Sequence, residues 1–174
     1  MSDIFSRFAP FIQDYIYRCK WDEHREKQVH AAKEIFDTDE NLLLSSGTAS
    51  GKTEAAFLPV LTQLWENPSA SVGVLYLSPL KALINDQFER LEGLLEEAAI
   101  PVTKWHGDAS AAAKKRVMKR PQGVIQTTPE SLESMLMHNS SGAYRLFSDL
   151  RFIIIDEMHY FLDNDRGLQL LCLL

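Results

Sequence analysis

The chain has 174 residues, enough for one domain with a sizeable core, and its 45% hydrophobic and 24% charged content is that of an ordinary globular protein. No apolar run reaches the roughly 20 residues of a membrane span, so a helical membrane protein is excluded and no membrane partner is expected. The net charge of −6 excludes a protein held on nucleic acid by bulk charge alone.

Residues 4–18 carry Ile4, Phe5, Phe8, Phe11, Ile12, Tyr15 and Ile16 near helical spacing, with Pro10 as an interruption. A second helix is predicted over 23–36, with Val29, Ala31, Ala32, Ile35 and Phe36 on its apolar side. The short apolar run Leu42-Leu43-Leu44 then reads as a strand, and Ser46-Gly47-Thr48-Ala49-Ser50-Gly51-Lys52-Thr53 follows it directly. A strand, a loop of small residues, Lys-Thr and a helix over 52–66 make the layout of a phosphate-binding P-loop. Successive backbone N–H groups and the open end of a helix together cradle phosphate oxygens. Lys52 adds charge toward the β- and γ-phosphates, and the Thr53 hydroxyl suits Mg²⁺. The pattern usually opens with Gly, and here Ser46 stands first. Ala49, with its Cβ, is expected to keep an ordinary backbone conformation.

Strand-like and helix-like segments alternate from there. Val72 to Leu77 is a buried-strand candidate, and 80–98 an amphipathic helix with Leu83, Ile84, Gln87, Phe88, Leu91, Leu94 and Leu95 on one stripe. Strands are predicted at 101–105, 123–127 and 152–155, and helices at 110–119 and 129–138. Asn67-Pro68-Ser69 and the segment from His138 to Gly142 read as loops. Continuously apolar strands alternating with helices predict an α/β fold: a mostly parallel central sheet, with helices on both faces.

Phe152-Ile153-Ile154-Ile155 ends in Asp156-Glu157. In a parallel sheet, ligands gather at the carboxyl ends of the strands. One carboxylate there can hold the Mg²⁺ that bridges the phosphates, and the other can orient a water for in-line attack. Asp156 is assigned to the metal and Glu157 to the water. Lys114, Lys115, Arg116, Lys119 and Arg120 crowd one short stretch, which reads most simply as a solvated helix face. Cys19 and Cys172 show no metal-type spacing. With no signal-peptide layout at the N-terminus, a cytoplasmic location is the default expectation. The apolar stretch Gly167 to Leu174 ends without a cap or polar tail, which suggests a piece of a longer polypeptide.

The motifs at 46–53 and 156–159 (Asp-Glu-Met-His) resemble motifs I and II of superfamily 2 helicases, the DEAD/DEAH-box group. Tyr76-Leu77-Ser78-Pro79-Leu80-Lys81-Ala82-Leu83 resembles motif Ia, and Thr127-Thr128-Pro129-Glu130-Ser131-Leu132 resembles motif Ib. Trp105-His106-Gly107-Asp108 is similar to the segment between them, and Gln28 sits where the family places its Q-motif glutamine. The Pro-Leu-Lys-Ala-Leu wording is closest to the large-helicase-related branch. The resemblance runs from about residue 10 to the end.

The resemblance implies a RecA-like P-loop domain over 37–174, preceded by a helical segment over 1–36 that carries the Q-motif. Gln28 would read the adenine edge and favour ATP, with Tyr17 or Trp21 as a face for the ring. Gly47, Thr48, Ala49, Ser50, Gly51, Lys52 and Thr53 would bind the nucleotide. Pro79, Lys81, Thr128 and Pro129 would grip the backbone of one DNA or RNA strand through N–H groups, a hydroxyl and charge. His106 and Asp108 read equally as a loop hydrogen-bonding pair or a nucleic-acid contact, and His159 would relay the state of the nucleotide. The expected function is the ATP-binding motor of an ATP-dependent helicase or translocase. A restriction or defence motor and a non-hydrolysing switch are the alternatives. The family's second RecA-like domain would be the partner within the same polypeptide, supplying an arginine finger worth about 10³–10⁵ in rate. Without it these residues are expected to hydrolyse ATP very slowly.

Overall fold

The computed structural model describes residues 4–19, 26–45 and 51–174, apart from the side chains of residues 26, 27 and 85–92. The backbone falls into two compact units, Met1–Pro68 and Ser69–Leu174.

In the first unit Pro10 opens a helix instead of interrupting one. A 3₁₀ turn over Phe5–Arg7 precedes α1, Pro10–Arg18, with Pro10 in its first turn. Proline suits that place because its fixed φ is helical and its missing N–H has no partner there anyway. Ile12 and Ile16 carry the buried face of α1. α2 spans Glu26–Asp37 and α3 spans Lys52–Glu66. α3 is buried over most of its length, at Phe57, Leu58, Val60, Leu61 and Leu64 among others. Two side-chain bonds tie the other elements to it: Ala9 N–H donates to Thr62 Oγ1 at 3.2 Å, and Gln63 Nε2 donates to the Ile35 carbonyl at 2.6 Å.

The predicted strand at 42–45 does not form in the described structure; residues 41–45 are without regular structure, and Leu43 is 74% exposed. Apolar content favours burial, but a strand exists only where a neighbour completes its ladder, and none pairs with this segment among the described residues.

The second unit is built on a parallel sheet. Its strands are β1 (Val72–Leu77), β2 (Val102–Trp105), β3 (Gly123–Thr127) and β4 (Phe152–Ile155), in the order β2-β3-β1-β4. Each neighbouring pair is parallel. The crossovers are α4 (Lys81–Glu97), α5 (Ala111–Lys119), α6 (Pro129–His138) and α7 (Ser140–Leu146), and α8 (Asp165–Leu173) ends the chain. From β1 to β2 the chain moves one way across the sheet, and the later crossovers move the other way. Right-handed connections therefore put α4 on one face and α5, α6 and α7 on the other. Leu75, Leu77 and Ile125 face a core made with Val117, Leu132, Met135, Leu146, Phe161 and Leu170. The alternate residues Val74, Tyr76, Val124 and Gln126 are buried on the opposite face. Sheet and crossovers together make an α/β fold with helices on both faces, as the alternation of segments implies.

β1 and β3 are buried along their whole length, as their apolar runs predict. β4 is not: Ile153 is 44% exposed, because β4 is the edge strand of the described sheet. The loop predicted across 138–142 is instead the start of α7, which Asn139 caps by accepting from Gly142 N–H. No described helix is long and apolar enough to cross a membrane.

Candidate functional site

In the first unit, Gly51 has φ 76° and ψ 28°, a left-handed conformation, and α3 begins at the next residue. Glycine adopts this turn without steric cost, so Lys52 and Thr53 can enter a helix immediately. Among the described residues no side chain caps α3, and its amino end presents partial positive charge toward any anion beside it. Residues 46–50, with the expectation for Ala49, lie outside the described residues, as does Trp21. Gln28 lies on α2 and is 9% exposed, unlike a solvated helix glutamine. Tyr17 is half-exposed and meets Phe5 edge-on, with ring centroids 5.3 Å apart.

In the second unit, Asp156 and Glu157 stand at the carboxyl end of β4. Asp156 N–H donates to the Leu77 carbonyl at 2.9 Å, extending the β1 ladder one residue past the strand. The Asp156 carboxylate is held at both oxygens: Oδ1 accepts from Glu157 N–H at 2.9 Å, and Oδ2 accepts from the Tyr76 hydroxyl at 2.5 Å. Burial, then the Asp156 charge, pushes the Tyr76 hydroxyl far above its ordinary range, so it remains a donor at any physiological pH. Glu157 has φ 49° and ψ 46°, a conformation an L-residue with a side chain seldom adopts. That turn breaks the strand sharply and starts a 3₁₀ helix over Met158–Phe161. The Glu157 carboxylate lies 3.1 Å from His159 Nδ1.

Two loops at the carboxyl ends of β1 and β3 carry the other predicted residues. Lys81 opens α4, exposed, with its ammonium 2.8 Å from Asp108 Oδ2. The hydrogen bond from Lys81, then its charge, holds the Asp108 carboxyl below its ordinary value. Asp108 thus pairs with Lys81 and not with His106. His106 is 6% exposed with neither ring nitrogen hydrogen-bonded, and burial lowers its pKa against the opposing charge of Asp108. Its carbonyl accepts from Lys114 Nζ at 2.6 Å. Lys115, Arg116, Lys119 and Arg120 are exposed on α5 or at its end, as a solvated face.

The two threonines do not present their hydroxyls outward. Thr127 Oγ1 donates to the Trp105 carbonyl at 2.6 Å. Thr128 caps α6, accepting from Ser131 N–H at 3.4 Å, and is 5% exposed. The Thr128 hydroxyl is thus engaged in capping the helix end within the protein. Pro129 takes the first position of α6, as predicted. Pro79 is buried, and its carbonyl accepts from Arg166 Nη2 at 2.7 Å. The same guanidinium donates through Nε to Glu130 Oε1 at 2.7 Å. Burial pulls the Glu130 carboxyl upward, but its hydrogen bonds, first of all to Arg166, prevail and hold it below its ordinary value.

A family model described as "DEAD/DEAH box helicase" matches residues 25–174. The chain belongs to the DEAD/DEAH box helicase family. One relative is the ATP-dependent helicase Lhr-Core of Methanothermobacter thermautotrophicus, 32% identical over 97% of this chain and 21% of that protein. The solved structure of Mycobacterium smegmatis helicase Lhr bound to ssDNA and AMP-PNP is 30% identical, with TM-score 0.80, over 97% of this chain and 22% of that one. DUF1998 helicase MrfA bound to DNA and AMPPNP is 29% identical, with TM-score 0.80, over 92% of this chain and 22% of that one. The chain spans about a fifth of the length of the curated relatives it matches. Its fold is that of the RecA-like helicase domains.

The donor chemistry at the carboxyl end of β4 suits a hard cation such as Mg²⁺. The Asp156 carboxylate brings hard oxygen atoms, and each keeps lone-pair capacity beyond its one hydrogen bond. Among the described residues no three His, Cys, Asp or Glu side chains form a metal cage. Mg²⁺ needs none, since it takes one or two carboxylates together with substrate phosphates and water. Sequence reasoning missed Tyr76 and Arg166. Tyr76 reads as one more large residue in an apolar strand, and Arg166 lies 87 residues from one partner and 36 from the other.

Proposed function

We propose that this chain is the first motor domain of an ATP-dependent nucleic-acid helicase or translocase. The carrying observation is the preset pair at the end of β4: an Asp156 carboxylate fixed at both oxygens beside a Glu157 turned out of the strand. In this reading Gln28 selects adenine, and the loop from Gly47 to Thr53 binds the phosphates, with Lys52 facing the β- and γ-groups. Thr53 and Asp156 hold Mg²⁺, which when bound neutralises charge on the phosphate oxygens. Glu157 orients the attacking water and accepts its proton. Pro79, Lys81, Thr128 and Pro129 line the nucleic-acid track. Lys81 contributes charge, and the α6 end contributes backbone N–H groups in place of the Thr128 hydroxyl. Such contacts carry no base sequence, so binding tolerates any sequence. Residues 37–174 form the RecA-like domain behind a 1–36 helical segment, and a second RecA-like domain of the same polypeptide completes the machine.

The test is ATP turnover by the full-length protein with and without single-stranded DNA or RNA. Turnover rises on addition of nucleic acid, and Glu157→Gln lowers kcat by about 10²–10⁴ while nucleotide binding persists. A rate indifferent to both nucleic acids overturns the motor reading and favours a nucleotide-dependent switch.

A further inference from the structure

Tyr76 is 1% exposed near the carboxyl end of β1. Phenylalanine would fill the same space, so the hydroxyl is the one feature that packing does not call for. A buried tyrosine hydroxyl needs a partner, and here it donates to a carboxylate two residues past the aligned position on the next strand. Tyr76 is in register with Ile154 on β4, and Asp156 lies two residues further along that chain, hence on the same face. The hydroxyl reaches Asp156 Oδ2 at 2.5 Å, and the Glu157 backbone N–H holds Oδ1 at 2.9 Å. Two rigid donors, one on each oxygen, fix the rotation of the carboxylate before any cation arrives. A ligand held in this way loses less freedom when it takes up a metal.

We propose that Tyr76 is a positioning residue that presets the Asp156 carboxylate for the nucleotide-bound divalent cation. This rests on Asp156 as the cation ligand. Tyr76 also lies on the strand that leads into the loop of Pro79, three residues further on. The bond therefore joins the cation ligand to the strand that carries the Lys81 loop.

The experiment uses the full-length protein with Mn²⁺ as the probe cation and ADP as the nucleotide. Electron paramagnetic resonance reads Mn²⁺ affinity, and a fluorescent ADP analogue in EDTA reads nucleotide affinity without metal. Tyr76→Phe weakens Mn²⁺ about tenfold and leaves the metal-free nucleotide affinity within about twofold, as loss of an outer-shell partner does. In an Asp156→Glu background, where one more methylene displaces the carboxylate from the hydroxyl, the same change adds less than about twofold. Wild-type Mn²⁺ affinity in Tyr76→Phe overturns the proposal. So does an equal loss with and without metal, or a full tenfold loss in the Asp156→Glu background, because either marks general packing. Asp156→Ala separates the two layers. If it retains Mn²⁺ binding, the reading of Asp156 fails and the Tyr76 proposal with it. If it loses binding while Tyr76→Phe does not, only the Tyr76 proposal fails.

Discussion

Replacing Arg166 by alanine removes one guanidinium from two partners in different segments, the loop after β1 and the first turn of α6. Nη2 holds the carbonyl of buried Pro79 at 2.7 Å, and Nε holds Glu130 Oε1 at 2.7 Å. The carbonyl bond has a charged donor and a buried acceptor and contributes about 1.5 kcal/mol. The Glu130 pair has side chains 35% and 49% exposed, so solvent screening limits it to about 0.5 kcal/mol. The guanidinium also lies 5.5 Å from the Phe161 ring centroid, a contact worth about 0.5 kcal/mol at an exposed position. Arg166→Ala therefore costs about 2–3 kcal/mol and lowers the melting temperature of this domain by about 5–10 °C. Calorimetry of wild type and variant reads it. Arg166→Lys keeps the charge without the fork and recovers less than half of the loss, since its compact ammonium lacks the planar, separated donors that Nε and Nη2 direct at the two acceptors. The functional reading adds a second expectation: single-stranded DNA affinity falls severalfold, because the loops after β1 and β3 lose their common tether, while basal ATP turnover changes little. A melting temperature within about 2 °C of wild type would falsify the claim that this guanidinium braces the two loops.

Three further outcomes test other parts of the structure. Lys81→Ala weakens single-stranded DNA binding and lowers the salt slope of log K by about 1, while Asp108→Asn frees the Lys81 ammonium and strengthens binding. Titrations at several salt concentrations decide this, and unchanged slopes refute the role of Lys81. Glu157→Gly removes side-chain strain at φ 49°, so it melts no lower than wild type, with relief of about 1 kcal/mol, although ATP turnover collapses. A clear loss of stability there would show the turn to be unstrained. His106 has a folded pKa depressed below its ordinary 6.5 by burial, so the unfolded chain takes up the proton first. Its contribution to stability is complete above pH 6.5 and declines as pH falls below that value, and His106→Leu flattens the stability curve in this acid window.

The parts legible in the sequence are those that depend on neighbours in the chain. The alternation of apolar runs and amphipathic stretches placed all four strands and most helices, because burial on both faces needs uninterrupted apolar residues. Asp156-Glu157 at the end of such a run marks the carboxyl edge of the sheet. Long-range pairing is what the sequence hides. The edge exposure of Ile153 follows from which strand lies beside β4, and no local pattern contains that. Ser140-Ser141-Gly142 has the composition of a loop, yet Asn139 caps it and Ala143 and Leu146 bury its far side, so packing overrides propensity. The Tyr76 hydroxyl finds its partner 80 residues away.

A parallel sheet forces proximity on functions that need it. β1 and β4 are hydrogen-bonded neighbours, and β3 lies on the other side of β1. Because the strands run in one direction, Asp156-Glu157, Pro79 to Lys81 and Thr128-Pro129 all emerge at the same end. The Asp156 backbone bond to Leu77 and the Tyr76 hydroxyl bond to Asp156 then join the proposed cation ligand to the strand that feeds the first of the two loops proposed to hold nucleic acid. Ser78 N–H, bonded to the Thr127 carbonyl at 3.0 Å, joins that loop to the second. A shift of β4 relative to β1 is therefore felt at both loops without any long chain of intermediates. Coupling of this kind needs two discrete arrangements of a packed element. The turn at Glu157, held in a sparsely populated conformation directly after the strand, stores strain that a second arrangement of this turn would release.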